Sequence, residues 1–261
     1  GGQVQLAARA TPRRSDLIGI TGWLASECRH LGVELRTGTV VEAADVVALA
    51  PDVVVVATGG SPRMPDLAEG VELAVSTWDI IGGSVSASTG DVLLFDDHGT
   101  EEGLSCAERL VAAGSHVELV TPDRHVGHEV TGTAYPRYLA TFYEHGVRLT
   151  PDHRLTAIRR DGAGRLEVDL WNDYTKTTTR RTVDQVVIEH GTTPNDELFF
   201  DLAEASRNGG ELDVDAYLAG RPQAKVVNEA GTFDLFRLGD AIASRNIHAA
   251  IYEARRIAMV L

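Results

Sequence analysis

VLLFDDHGTEEGLSCAE, residues 92–108, sets how the rest of the chain is read. Val92, Leu93, Leu94 and Phe95 form an apolar run of strand length, and a charged turn bearing Gly99 follows. Beyond it Leu104, Cys106, Ala107, Leu110 and Val111 have the spacing of one helix face. A second apolar run, Val117 to Val120, begins shortly after Gly114. Strand, tight turn, helix and strand within about 30 residues is the shape of a dinucleotide-binding βαβ unit.

The chemistry of the turn departs from that role. With Gly103 as the third glycine of G-x-G-x-x-G, the first two places fall on His98 and Thr100, and only the intermediate Gly99 is glycine. Glycine is needed there for the bend and for close backbone approach to a pyrophosphate. Asp96, Asp97, Glu101 and Glu102 add negative charge beside a helix N-terminus that otherwise attracts anions. Two readings follow: a nucleotide-binding scaffold that has lost its nucleotide, or an ordinary βαβ unit that never held one. Past the second strand, where a nicotinamide enzyme would carry a ribose-binding acid or a phosphate-binding arginine, the sequence has Asp123 and Arg124, both beyond the strand end.

The chain has 261 residues, enough for one large or two small domains. With 24 basic against 38 acidic residues its net charge is −14, which disfavours nucleic acid and anionic membrane as partners. The apolar runs are of strand length, so no membrane span is expected. Cys28 and Cys106 lack metal or redox spacing and are expected as reduced core residues. His125 and His128, separated by Val126 and Gly127, are expected as loop residues and not as a metal pair. No targeting segment is visible, which points to the cytoplasm. The abrupt Gly1-Gly2-Gln3 opening suggests a cut inside a longer protein.

Outside the central unit, the pattern predicts helices over 5–10 and 16–31, the latter capped by Ser15 or Asp16 with Leu17, Ile20, Leu24, Cys28 and Leu31 on one face. Val33, Leu35 and Val40 alternate like a short strand, and 45–50 reads as a turn or short helix. Val53 to Val56 reads as a strand buried on both faces, ending in the small residues Ala57-Thr58-Gly59-Gly60. Residues 61–90 look loop-rich, anchored by Trp78 to Ile81. A helix is predicted over 135–145, an edge strand over 147–149, and a meander over 155–158, 166–170 and 177–182. A buried strand over 183–188 follows. The return comprises a helix over 199–205, an extended piece over 212–214 and a strand over 233–238. That strand delivers Gly239-Asp240 to a helix over 246–261 whose inner face is Ile247, Ala250, Ile251, Ala254, Ile257 and Ala258. Asp240 can accept from a ligand hydroxyl or cap that helix.

ATGG at 57–60, the unit from 91 and RLGDA at 237–241 stand in the order of the two-dinucleotide-binding flavoproteins. With the Gly-Gly-Gln opening, DLIGI at 16–20 and the VLLFDDHG turn, the whole chain resembles the C-terminal half of the trimethylamine, dimethylamine and histamine dehydrogenase family, part of the wider NADH:flavin oxidoreductases. Relatives of that family include 2,4-dienoyl-CoA reductase and the N-methyl amino acid demethylases. The acidic turn favours the amine dehydrogenase side. The resemblance implies an α/β fold in which a Rossmann-like, three-layer NAD(P)-type domain (89–195) with an antiparallel β-meander is inserted into an incomplete FAD/NAD(P)-binding domain (1–88 and 196–261). It also implies that Gly2 and Gln3 border an FAD or ADP, that Ala57, Thr58 and Gly59 pack against it, and that Gly239 and Asp240 lie near its ribityl or pyrophosphate end.

In such proteins a preceding TIM barrel carries FMN and a 4Fe-4S cluster and takes the small-molecule substrate. Electrons leave to an electron-transfer flavoprotein. No catalytic residue and no metal ligand is therefore expected in this chain, and the parent is expected to be a homo-oligomer. Taken alone, the chain is expected to bind nucleotide weakly or undetectably, to be inactive, and to have its first 60 residues less ordered than the rest or covered by a neighbouring molecule. The alternatives are an NAD(P)H-driven enoyl-CoA-type reductase and a non-catalytic docking scaffold.

Overall fold

The computed structural model describes residues 2–261, so Gly1 lies outside the described residues. The chain divides into two compact units: 1–26 with 62–191, and 27–61 with 192–261. Compactness thus places the divisions after Ser26, Ser61 and Gly191, whereas the sequence suggested 88/89 and 195/196.

The first elements are Gln3–Ala10 (α1), Ile18–His30 (α2), Ala43–Ala48 (α3), Val53–Val56 (β1), Gly60–Pro62 (β2), Val75–Ser76 (β3) and Thr77–Gly82 (α4). Next come Asp91–Asp96 (β4), Glu101–Ala112 (α5), His116–Val120 (β5), Tyr135–Glu144 (α6) and Arg148–Thr150 (β6). His153–Arg160 (β7), Leu166–Asn172 (β8), Thr177–Val183 (β9), Gln185–Glu189 (β10) and Thr192–Pro194 (β11) follow. The chain closes with Glu197–Ala203 (α7), Val214–Leu218 (α8), Asp234–Arg237 (β12) and Ile247–Ala258 (α9).

The first unit is a three-layer α/β fold around the parallel sheet β3-β10-β4-β5-β6. Strand alternation explains the layers, since successive residues of β4 face opposite ways. Val92 and Leu94 join Leu104, Cys106, Leu110 and Phe142 from α5 and α6. Leu93 and Phe95 join Ile158, Val168, Leu170 and Ile188, so the meander β7-β8-β9 covers the other face. With Leu93 and Leu94 fully buried, truncating either to Ala should cost about 2–5 kcal/mol. The start of the chain is fastened to this unit by arginines: Arg13 Nη1 lies 2.7 Å from Glu108 Oε1, and Arg14 Nη2 donates to Tyr138 Oη at 2.7 Å.

The second unit is built on a two-stranded parallel ladder, with Val53 opposite Asp234 and Val56 opposite Arg237. Val56 packs with Phe199, Leu202, Phe233, Leu235 and Ala241.

Several expectations are corrected. Residues 33–40 form no strand, because no described strand lies beside them to complete a ladder; Val40 is 89% exposed. Val53 to Val56 is buried on one face only, leaving Val53 and Val55 at 36% and 38% exposure, since the two-stranded ladder is covered on the Val56 side. The segment before α2 is a 3-10 turn, Pro12–Leu17, with proline at its start, so Ser15 and Asp16 cap no α-helix. On α2 itself Leu24 is exposed, as is Leu31 just beyond it. Asp213 caps α8 by accepting from Ala216 N at 2.9 Å, which turns the expected extended piece into a helix. On α9 only Ile257 of the expected inner face is buried. Cys106 is buried but Cys28 only half-buried, and both are free.

Candidate functional site

In the second unit, pairing of β1 with β12 sets the exits of the two strands side by side, with Leu238 N donating to Val56 O at 3.0 Å. Ala57-Thr58-Gly59 and Gly239-Asp240 are thereby brought together at one end of the ladder. Gly59 and Gly239 both have positive φ (75° and 58°), a conformation glycine adopts without strain. A Cβ on Gly60 would stand 2.8 Å from Thr193 O, so this crossing requires glycine. Asn195 N donates to Gly59 O at 3.0 Å and the Thr58 hydroxyl donates to Asn195 O, which fixes the loop. Asp240 accepts from Thr192 Oγ1 at 3.1 Å and from Arg245 N at 3.1 Å. Helix α9 is capped by Asn246, which accepts from Ala249 N at 2.9 Å, so Asp240 is not its cap. Gly2 and Gln3 stand at the start of α1 and are counted with the first unit.

In the first unit, the turn after β4 satisfies itself. Asp96 Oδ1 accepts from His98 N at 3.0 Å and Gly99 N at 2.9 Å. These are donors of the kind a phosphate would use at a helix N-terminus. Gly103 is required by close approach, because its Cβ would stand 2.3 Å from Asp96 Oδ2. That oxygen is fully buried without a hydrogen-bond partner. Burial, joined by the charge of Glu189, pushes the Asp96 carboxyl up to about 7 against the two amide hydrogen bonds. The Cys106 thiol is likewise pushed up by burial.

Residues that the sequence did not single out complete this region. Glu189, at the end of β10, accepts from the Thr77 hydroxyl and from Gly191 N at 2.9 Å, and lies 3.5 Å from His98 Nδ1. The interaction with Glu189 holds the His98 imidazole above its usual pKa, outweighing burial, with the charges of Glu189, Glu102 and Asp96 adding to it. His190 Nδ1 and Asp97 Oδ1 are 2.5 Å apart. Beyond β5, Asp123 pairs with His128 at 2.7 Å instead of standing open, and Arg124 is exposed. No group of side chains suited to a metal ion occurs among the described residues. No helix among them is long and apolar enough to cross a membrane. A cleft of about 630 Å³ beside Leu6, Met64, Val71 and Trp78 is lined mainly by apolar groups and shares no residue with either set.

Comparison with known proteins bears on both units. The family model described as pyridine nucleotide-disulphide oxidoreductase matches residues 99–254. A probable N-methylproline demethylase of Rhizobium meliloti is 45% identical over 98% of this chain and 38% of its own length. An N,N-dimethylglycine/sarcosine dehydrogenase of Chromohalobacter salexigens is 43% identical over the same shares, 98% and 38%. Among solved structures, histamine dehydrogenase from Rhizobium sp. 4-9 superposes with a TM-score of 0.78 at 23% identity, covering 100% of this chain and 38% of that one. The chain therefore spans well under half the length of the curated relatives it matches.

Proposed function

This chain belongs to the pyridine nucleotide-disulphide oxidoreductase family, and from that premise we propose that it is the nucleotide-binding part of a flavin-dependent oxidoreductase acting on an amine or N-methyl compound. The substrate class is supported by the relatives at 45% and 43% identity, whose names specify N-methylproline, dimethylglycine and sarcosine. The observation that carries the nucleotide site is the pairing of β1 with β12, which puts Ala57, Thr58 and Gly59 beside Gly239 and Asp240.

The residues present fit an ADP or FAD. Glycine at 59 leaves bare backbone for a ligand to approach, since nothing lies within 4 Å of where its side chain would be, whereas Gly239 is buried, packs against Ala250 and donates its N–H to Glu253 at 2.9 Å. A carboxylate has acceptor capacity beyond two hydrogen bonds, so Asp240 can take a ribose or ribityl hydroxyl while keeping Thr192 and Arg245. When bound, FAD would supply electron transfer, and this chain's residues would bind and orient it. By the family resemblance, the 4Fe-4S cluster, the FMN, the substrate site and the docking of an electron-transfer flavoprotein are assigned to a preceding barrel of the parent.

Nucleotide released by mild denaturation of the intact protein should be ADP or FAD. Asp240→Asn should weaken its retention by roughly tenfold, about 1.4 kcal/mol. Release of no nucleotide would leave the docking-scaffold reading standing. A second reading, an NAD(P)H-driven reductase, is favoured by the family's description as a pyridine nucleotide oxidoreductase. It requires a nicotinamide cofactor to enter between β4 and β10.

A further inference from the structure

In an open parallel sheet, ligands enter the crevice beyond the strand ends, at the point where strand order reverses. In the first unit that point lies between β4 and β10: from β4 the chain proceeds to β5 and β6 on one side and returns to β10 on the other. The crevice is crossed by two histidine–carboxylate contacts, Asp97 with His190 at 2.5 Å and His98 with Glu189 at 3.5 Å. Beneath them the amides of His98 and Gly99 are already bound to Asp96. From the β5 side, His128 closes over the turn: a Cβ on Gly99 would stand 2.2 Å from its Nδ1, and Glu129 N donates to Gly99 O at 3.0 Å.

We propose that Asp97, His98, Glu189 and His190 form a clasp that shuts this crevice against a dinucleotide, with Asp96 holding the phosphate-type donors and His128 sealing the Gly99 side. A pyrophosphate has two needs in such a crevice, free turn amides and room between the strand ends, and both are occupied by the protein's own side chains. An entering anion would also meet the Glu102 and Glu189 carboxylates, while Glu101 is paired with Arg14 and the Arg63 guanidinium at this edge donates to His190 O at 3.1 Å. The clasp is thus a specificity device: it limits an otherwise complete nucleotide fold to a structural role. The inference rests on the reading above only in taking this unit for a nucleotide-type fold. Its failure would leave the nucleotide site proposed in the second unit untouched.

Amide hydrogen exchange of the intact protein with and without NADH at about 1 mM tests it, because the readout is local. In the wild type, NADH should leave exchange over 97–103 and 189–191 unchanged. Asp96→Gly/His98→Gly should gain NADH protection at Gly99 and Gly103 and bind roughly tenfold more tightly than wild type. His128→Ala alone, a change on a half-exposed loop residue, should give a smaller gain at the same amides. NADH protection over 97–103 in the wild type would overturn the proposal, as would a double variant with native protection over β4 and β5 and no gain. Should the double variant fail to fold, absence of any gain in His128→Ala would overturn it. Protection confined to 57–60 and 239–241 reports on the nucleotide site proposed there and leaves the clasp expectation for 97–103 fulfilled.

Discussion

Asp96 is the residue on which the first unit's chemistry converges. A carboxyl raised to about 7 in the folded state and ordinary when unfolded binds its proton more tightly in the native protein. Its contribution to stability is therefore present at acid pH and is lost as pH rises between about 4 and about 7. The raised His98 acts in the same direction, since its imidazolium is lost as pH rises through its elevated folded value. Asp96→Asn keeps an acceptor for the two amides and removes the buried charge. Urea unfolding should show it more stable than wild type at pH 8 by about 2–4 kcal/mol, with the difference shrinking toward pH 4. Equal stabilities at pH 8 would contradict the burial argument. Gly103→Ala should cost about 1–3 kcal/mol, because its methyl would meet Asp96 Oδ2. At this scale the sequence was partly legible: it marked Gly103 as the third glycine position and His98 as a side chain in the first, but not the close approach of Gly103 to Asp96, which only the fold reveals. Glu189 and His190 could not be read in the same way, because their partners lie more than 90 residues away and only the return of β10 brings them near.

Among elements, β4, α5 and β5 were legible because their pattern is local: each apolar period is complete within one strand or helix, and the sheet covers both faces. The second unit shows where such reading stops. Periodicity identifies the apolar face of α9 but not what covers it, and Ile251 and Tyr252 are 52% and 59% exposed. The same holds for 33–40, which has strand-like alternation and no neighbouring strand. Amides of 53–56 in this chain should therefore exchange faster than those of 92–96 and 116–120, and equal protection in a dilute monomer would contradict this. Tyr138 joins three elements of the first unit through one oxygen, bonded to Arg14 at 2.7 Å, Ser105 at 2.8 Å and Glu101 at 3.2 Å. Tyr138→Phe should destabilise by about 1–3 kcal/mol, because Ser105 is buried and loses its partner. Thermal unfolding at neutral pH would measure it.

For the whole molecule, the motif order ATGG, VLLFDDHG, GDA carried the family, and the comparisons agree with that reading. The two units divide the chemistry. One brings two strand exits together with Gly59 open beside them, and the other holds its strand ends together with its own acids and histidines. We propose adenine-nucleotide binding for the second unit and no reduction by nicotinamide in the parent. The measurement that tests this most directly is an anaerobic titration of the intact protein, following flavin absorbance while NADPH or an N-methyl amine is added. The account predicts bleaching by the amine and none by NADPH. Rapid bleaching by NADPH would contradict it and assign the parent to nicotinamide-driven reduction.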